Sequence, residues 1–267
     1  MGYNDITRVQ GNSQVTWWAV PIDGIANFLS PTAAEINAGV NITDAVKTDG
    51  MDFDVQASGS VDDRSYADSA STTYRDFTDW GGHLPLYFPL FNDDGSFKEP
   101  DGAAALAFQA IGTPRTEFWL VERVLQGGPT VEAASGDLIS VYHVMTDART
   151  KDTMTSGAGY TYQINLLPQG DVAINTLVKT TSAPTYNETS VTLASDGDVF
   201  AIIATLSGKN ITQGANWTSS DTTKVTVSPN GVVKQVAGAS AGTATITADH
   251  PAVGASDSGV TVTVTPT

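Results

Sequence analysis

The chain has 267 residues, no cysteine, and 29 acidic against 13 basic side chains, giving a formal charge of −16 at pH 7. Its length is sufficient for one large or two ordinary domains, and we expect two. Without cysteine the chain cannot form disulfides, use a thiolate nucleophile or bind zinc through thiolates. The excess of acidic residues argues against a surface that grips the phosphates of nucleic acid.

The start of the chain, MGYNDITRVQGNSQVTWWAV, has no basic segment followed by an apolar one, and no run of about 18 apolar residues occurs in the sequence. Although the chain begins with Met-Gly, Ile6 stands where a myristoylation signal requires Ser or Thr. We therefore expect a soluble protein that is made in the cytoplasm and has no membrane partner.

The first 185 residues are rich in short runs typical of β-strands, and one helix is well marked. In LSPTAAEINAGVNIT, Ser30 can cap a helix, Pro31 suits its first position, and Gly39 can end it in the left-handed conformation. The alanine-rich segment 103–111 fits either a helix or a buried strand. The predicted strands are 14–20, 41–48, 51–57, 74–80, 116–125, 138–145, 160–166 and 173–178.

Residues 58–73, SGSVDDRSYADSASTT, are small or charged and show no hydrophobic period. Loops of this length without secondary structure tend to be functional or disordered. One interpretation is flexibility alone, and the sharper one is an arm that becomes ordered against a neighbouring subunit. The candidate contact residues in this predicted loop are Asp62, Asp63, Arg64 and Tyr66.

The acidic side chains are concentrated in one part of the sequence. Residues 44–101 contain 13 of them and four basic residues, Lys47, Arg64, Arg75 and Lys98. Such a zone is usually a solvated face, but it also fits a surface that repels DNA.

The segment KTTSAPTYNETS, residues 179–190, is typical of a linker, so we place a domain boundary near residue 185. The predicted domains are therefore 1–185 and 186–267. Short β-branched runs with turn signals between them follow the boundary and predict an immunoglobulin-like sandwich with Trp217 in its core. These runs are 190–193, 199–206, 215–218, 224–227, 232–236, 243–248 and 259–264.

The phrases WTSSD, VTVSPNGVV and GTATITA resemble the bacterial immunoglobulin-like group 2 domain over residues 186–265. This resemblance implies an accessory domain of the kind found on surface adhesins and phage virion proteins, with no catalytic residues.

The order of features before the boundary resembles the major tail (tail tube) proteins of long-tailed phages. The phrases that carry this resemblance are LSPTAAEINAGVNIT, FWLVERV, AASGDLISVYHV and INLLPQGDVAINTLV. It implies a mainly β protein whose tail-tube-type β-sandwich assembles into hexameric rings, and the rings stack into a tube. The implied location is the virion tail, and the implied partners are further copies and other tail proteins. DNA would pass through the lumen without specific binding. In such an assembly, the arm predicted within residues 58–73 is a candidate for contact with a neighbouring subunit or ring.

The sequence GASAG, Gly238 to Gly242, matches the nucleophile elbow of serine hydrolases, but the alternating run TATITA follows it. An elbow must lead into a helix, so we interpret Ser240 as a residue of a hairpin loop and expect no enzyme. The histidines His83, His143 and His250 lack metal-ligand spacing; we place His143 in a strand and the other two in loops.

The pairs Asp52/Asp54, Asp62/Asp63, Asp93/Asp94 and Asp196/Asp198 could serve acid–base chemistry or bind calcium, but abundant acids make such pairs common by chance. We expect no catalytic residues, cofactor or metal, and we predict a turn at Asp94-Gly95. The alternative function is a secreted or surface-displayed adhesive module that binds carbohydrate through its C-terminal sandwich.

Overall fold

The computed structural model describes residues 15–47, 52–55, 60–63, 72–75, 80–124, 131–151 and 160–265. The chain divides into two compact units, and both are built mainly of antiparallel β-strands. The first unit comprises the described residues up to Phe28 together with Ala34–Ala133 and Leu138–Asn175. The second comprises Leu29–Ala33, Ala134–Asp137 and the chain from Thr176 onward. The predicted fold class, mainly β with a short helix, is confirmed.

A seven-stranded sheet dominates the first unit, with the strand order β2-β1-β7-β8-β9-β6-β3. Nine strands are described up to the end of this sheet, and seven of them belong to it. They are β1 (Val15–Pro21), β2 (Val40–Asn41), β3 (Asp52–Val55), β4 (Ser60–Asp63), β5 (Thr72–Arg75), β6 (Trp80–Tyr87), β7 (Glu117–Val124), β8 (Leu138–Lys151) and β9 (Thr161–Leu177). Strands β4 and β5 form a separate two-stranded ribbon.

One face of the large sheet carries the main hydrophobic core of the first unit. Alternate residues of the central strands, including Trp17, Phe118, Tyr142 and Tyr162, point into it because successive strand residues face opposite sides. Helix α2 (Ala103–Ile111) buries Ala107 and Ile111 in the same cluster. The alanine-rich segment is therefore a helix, which settles the alternative left open by its sequence.

The opposite face of β1 and β7 is also buried, and it contains a charged side chain. Arg123 is 1% exposed, and its guanidinium lies 5.0 Å from the centre of the Trp18 ring. It donates hydrogen bonds to the carbonyl oxygens of Val131 (2.6 Å) and Glu132 (2.9 Å), and to the Thr16 hydroxyl at 3.3 Å. Burial on both faces explains the nearly continuous apolar runs of these strands.

The helix predicted near the N-terminus, α1, is shorter than its sequence suggests and spans only Ala33–Asn37. The predictions that Ser30 caps it and that Pro31 is its first residue are wrong, since the helix begins at Ala33. The Ser30 hydroxyl instead donates to the Leu177 carbonyl. Gly39 is not in the left-handed region either. Its lack of a side chain is needed for space, since a Cβ there would lie 2.7 Å from Cγ2 of Val20.

Several predicted strands differ in extent from those observed. The strand predicted at 138–145 continues to Lys151, and the run predicted at 74–80 covers only the end of β5 and the first residue of β6 among the described residues. The segment 41–48 contributes only Val40–Asn41 to the sheet and then forms a short 3-10 turn over Thr43–Ala45. The two strands predicted within 160–178 are one continuous strand, β9, which passes through Pro168 and Gly170. Its length is not visible in the sequence, since proline and glycine ordinarily indicate a break.

The second unit contains ten further strands in three small sheets, with orders β10-β13-β14, β11-β19-β18-β15 and β12-β17-β16. They are β10 (Thr185–Tyr186), β11 (Ser190–Leu193), β12 (Val199–Ala201), β13 (Ala204–Leu206), β14 (Lys209–Asn210), β15 (Asn216–Ser219), β16 (Val225–Val227), β17 (Val232–Gln235), β18 (Gly242–Asp249) and β19 (Val260–Val264). All seven predicted runs are strands here, with 199–206 split in two. Trp217 is buried as predicted, and its indole N–H donates to the Thr212 carbonyl at 2.9 Å.

The segment predicted to be a linker is hydrogen-bonded inside the second unit. The Thr180 N–H donates to the Ala252 carbonyl, and the Tyr186 hydroxyl donates to the Asp257 carboxylate. Burial is the main cause that raises the pKa of Tyr186, and the bond to Asp257 adds to it. No helix among the described residues has the length and hydrophobicity needed to cross a membrane.

Candidate assembly surfaces

Strand β3 lies at one edge of the seven-stranded sheet. Its register with β6 pairs Asp52 with His83 and Val55 with Trp80. The Phe53 ring packs edge-on against Tyr142, with 5.0 Å between ring centres, so Phe53 belongs to the core face of the sheet. An edge strand presents unpaired backbone groups that can pair with another chain. This edge is therefore a candidate site for contact between subunits.

The ribbon of β4 and β5 contains two of the predicted contact residues. Asp62 is paired with Thr73, and Asp63 with Thr72. The prediction of a structureless loop is therefore wrong for these two strands, whose β-branched residues favour an extended backbone. Arg64 and Tyr66, the other predicted contact residues, lie outside the described residues.

A partly exposed cluster of apolar side chains follows the last residue of β6. We call it the aromatic patch, and it consists of Phe88, Leu90, Phe91, Phe97 and Phe108. Leu90 is 63% exposed and Phe91 41% exposed. The rings of Phe88 and Phe108 lie 5.7 Å apart in an edge-on arrangement, as aromatic pairs prefer. The rings thus hold one another in place while leaving apolar surface open to solvent.

Charged groups border the aromatic patch on two sides. The Arg149 guanidinium lies 4.6 Å from the centre of the Phe108 ring, and Lys151 is exposed two residues further along β8. The turn before Phe97 contributes Asp93 and Asp94. The Asp94 carboxylate accepts hydrogen bonds from the side chain and backbone of Ser96, which hold the pKa of that carboxyl below its usual range. The turn predicted at Asp94-Gly95 is confirmed, with φ of +84° at the glycine.

Sequence reasoning missed the aromatic patch, although a signal was present. The run YFPLFNDDGSF places aromatic residues around a turn, and α2 adds Phe108 from further along the chain. The strand β6 itself was also missed because its two glycines and Pro85 are unfavourable in strands. His83, predicted to lie in a loop, is therefore in a strand.

His143 lies in strand β8, as predicted, between two carboxylates on neighbouring strands. Its Nε2 is 3.6 Å from Oε2 of Glu117, and its Nδ1 is 3.9 Å from Oδ2 of Asp171. The imidazole packs against Trp119, with ring centres 4.9 Å apart. Within the described part of the chain, neither ring nitrogen makes a hydrogen bond. Glu117 is on β7 and Asp171 on β9, the two strands that flank β8.

His250 lies in a loop, as predicted, and its Nδ1 accepts a hydrogen bond from the Ala252 N–H. Burial lowers its pKa. Across the ranges that the structure describes, no group of three or more His, Cys, Asp or Glu side chains is arranged to hold a metal ion.

Ser240 is exposed in the connection between β17 and β18, and a strand follows it. The loop interpretation of GASAG is confirmed. Asp196 and Asp198 accept backbone hydrogen bonds in and near the turns of this region. Asp196 accepts the Gly238 N–H at 3.1 Å, and Asp198 accepts the N–H groups of Ala194 and Ser195.

Residues 4–181 match the model of a family described as phage tail tube protein. The chain belongs to this family. It is accordingly a structural component of a phage tail, where tail tube proteins assemble with other tail subunits in a tube. The family is not enzymatic, which confirms the prediction that the chain is not an enzyme. No curated protein matches the chain.

Proposed function

We propose that this tail tube protein forms hexameric rings that stack into a tube, and that DNA passes through the lumen during ejection. The observation that carries the proposal is the family match over residues 4–181. The sequence resemblance implies the hexameric ring and the conduit. We also propose that the chain is made in the host cytoplasm and joins the other tail proteins there.

The sheet of the first unit offers a route to ring closure. Strand β3 is an edge of this sheet, and the short strand β2 is the other. If the β3 edge of one copy pairs with the β2 edge of the next, the contact is head-to-tail. Repeated head-to-tail contacts form a closed ring when the rotations from copy to copy add up to a full turn. This pairing would join the sheets of neighbouring subunits into one barrel.

The charge of the chain supports a conduit through which DNA slides. Duplex DNA carries one negative charge for about every 1.7 Å of its axis, so a basic lumen would hold it. Six copies would multiply any inward carboxylate, and the 13 acids within residues 44–101 supply such groups. We propose a net negative lumen supplied chiefly by this zone.

We propose that residues 186–267 form an immunoglobulin-like domain of the bacterial group 2 type that decorates the outside of the tube. Its support is the sequence resemblance and the three small sheets of the second unit, one of which contains the buried Trp217. We further propose that residues Asp62, Asp63, Arg64 and Tyr66 contact a neighbouring subunit or ring. Two of them lie in the β4–β5 ribbon, whose strands pair with each other and form a separate sheet.

Electron microscopy of the purified chain tests the proposal. Concentrated full-length protein should form tubes in negative stain, with sixfold symmetry in end views. A chain truncated after Ala183 should form tubes of smaller outer diameter. A folded full-length chain that stays monomeric at all concentrations and salt conditions would contradict self-assembly, and retention on a neutral polysaccharide resin would then favour the adhesive alternative.

A further inference from the structure

We propose that the aromatic patch of one subunit is the surface that receives the β4–β5 ribbon of a second copy of the chain. This inference rests on the proposed assembly into stacked rings and names the surfaces that hold neighbouring copies together. The patch is a new site, since neither the family match nor the sequence resemblance assigns it a role.

The positions of the two surfaces fit a head-to-tail contact. The chain leaves the large sheet for the ribbon after Val55 and returns at Trp80, and these two residues are paired with each other. The aromatic patch begins after Tyr87, at the other end of β6. Eight strand residues span about 23 Å at about 3.3 Å per residue. The chain therefore departs toward the ribbon and returns from it at one end of β6, and the patch begins at the other end, so each copy can give its ribbon and accept another.

The described strands of the ribbon share no backbone pairing with the large sheet. The ribbon is a separate sheet of two strands with four residues each. A two-stranded hairpin is marginally stable in water by itself and becomes stable when it packs on another element. The exposed side chains of Leu90 and Phe91 offer apolar area for this packing, at a surface whose rings are already ordered by one another. Rigid aromatic groups of this kind dominate the energetics of interfaces.

Charge sets the side from which the ribbon approaches. Strand β4 ends in the adjacent acids Asp62 and Asp63. On the β8 side, the patch presents the exposed cations Arg149 and Lys151, whereas its turn side presents Asp93 and Asp94. Opposite charges favour docking of the acidic strand next to Arg149, and like charges disfavour the reverse orientation.

Charge exchange tests the contact directly. The variant Arg149→Glu should raise the protein concentration needed for tube formation by about tenfold or more. Combining it in the same chain with Asp62→Arg and Asp63→Arg should restore assembly, because the exchanged charges attract again. The variant Leu90→Gln should also weaken assembly while leaving the circular dichroism spectrum and thermal unfolding of the monomer unchanged, since this side chain is largely exposed. The matched control is Lys209→Glu, an equal charge change on the second unit.

The outcomes separate this inference from the proposed function. If the wild-type chain forms no tubes, the proposed function fails. If wild-type tubes form, and Arg149→Glu and Leu90→Gln assemble at the wild-type concentration, the patch is not the receiving surface. If Arg149→Glu blocks assembly and the triple variant does not recover, Arg149 acts on assembly without pairing with the ribbon, and this inference is overturned. If Arg149→Glu weakens assembly and the triple variant restores it, the contact is supported.

Discussion

The backbone N–H of Thr180 donates a 2.9 Å hydrogen bond to the carbonyl of Ala252. Thr180 lies within residues 4–181, the part of the chain that matches the tail tube family, whereas Ala252 follows that part by some seventy residues. The two backbones also approach closely at Gly254, where an added Cβ would lie 2.0 Å from the Thr180 carbonyl oxygen. The second compact unit therefore depends on residues on both sides of the predicted boundary.

The close approach predicts that Gly254→Ala destabilises the second unit. The new methyl group would collide with backbone, which cannot move aside as a flexible side chain can, so we expect a loss of about 1–3 kcal/mol in the free energy of unfolding. Urea unfolding followed by Trp217 fluorescence measures it. The matched control is Gly214→Ala, whose Cβ would meet its nearest neighbour at an ordinary 3.5 Å. Equal stability of the two variants would contradict the close packing at Thr180.

The buried guanidinium of Arg123 predicts a second stability effect. Arg123→Met removes the donors to the carbonyls of Val131 and Glu132 and leaves those oxygens without these partners. We expect a loss of about 2–4 kcal/mol. Arg123→Lys should recover little of it, because a single ammonium cannot reproduce the planar fork of donors.

Thermal and urea unfolding of the first unit provide the measurement for Arg123. The control Arg115→Met removes an exposed guanidinium and should change stability by less than about 0.5 kcal/mol. A lysine variant as stable as the wild type would show that charge alone, and not the forked geometry, holds the segment at Val131.

The pKa of Asp221 provides a pH-dependent prediction. Hydrogen bonds from Lys224 and then from Thr223 lower the pKa of this carboxyl from 3.8 to about 2. Because the pKa of Asp221 is lower in the folded chain than in the unfolded chain, its ionised carboxylate stabilises the folded state above pH 3.8. This contribution is lost as the pH falls through about 2. NMR titration of the Asp221 side-chain carbon should give this value, and Lys224→Met should raise it. A titration midpoint that does not move in the variant would contradict the assigned cause.

Local patterns predicted most strands of both units because alternation and β-branched runs report directly on which face of a strand is buried. They failed where tertiary contacts override local preference. Strand β6 forms despite Gly81, Gly82 and Pro85, because its neighbours β3 and β9 bond to it on both sides. Ser30 bonds to Leu177, a partner 147 residues away that no local helix signal can reveal.

The candidate assembly surfaces were predicted in part. The acids Asp62 and Asp63 could be singled out from composition, but their place in a paired ribbon depends on register with Thr72 and Thr73. The aromatic patch joins Phe91 to Phe108 across a turn and a helix, so its members are adjacent only in the folded unit. Arg149, which comes from a third element, could not be placed beside Phe108 from sequence spacing.

The proposed negative lumen leads to a prediction about DNA passage. Strand β3 is the part of the acidic zone that joins the large sheet, and Asp52 and Asp54 flank Phe53, whose ring packs in the core. Alternation along a strand therefore assigns positions 52 and 54 to the face opposite the core. Replacing both by lysine changes the charge of a six-copy ring by about +24, which would attract the DNA phosphates. We expect tubes to form and DNA ejection to slow by about tenfold or more at low salt.

Ejection from phage particles assembled with the variant, followed by dye fluorescence at several salt concentrations, measures this effect. The slowing should diminish as salt rises, because added ions screen the attraction between lysine and phosphate. The control Glu188→Lys with Asp249→Lys makes the same charge change at exposed positions of the second unit and should leave the ejection rate unchanged. Ejection by the β3 variant at the wild-type rate in low salt would show that positions 52 and 54 do not face the DNA. Slowing that is insensitive to salt would instead indicate an obstructed or distorted lumen.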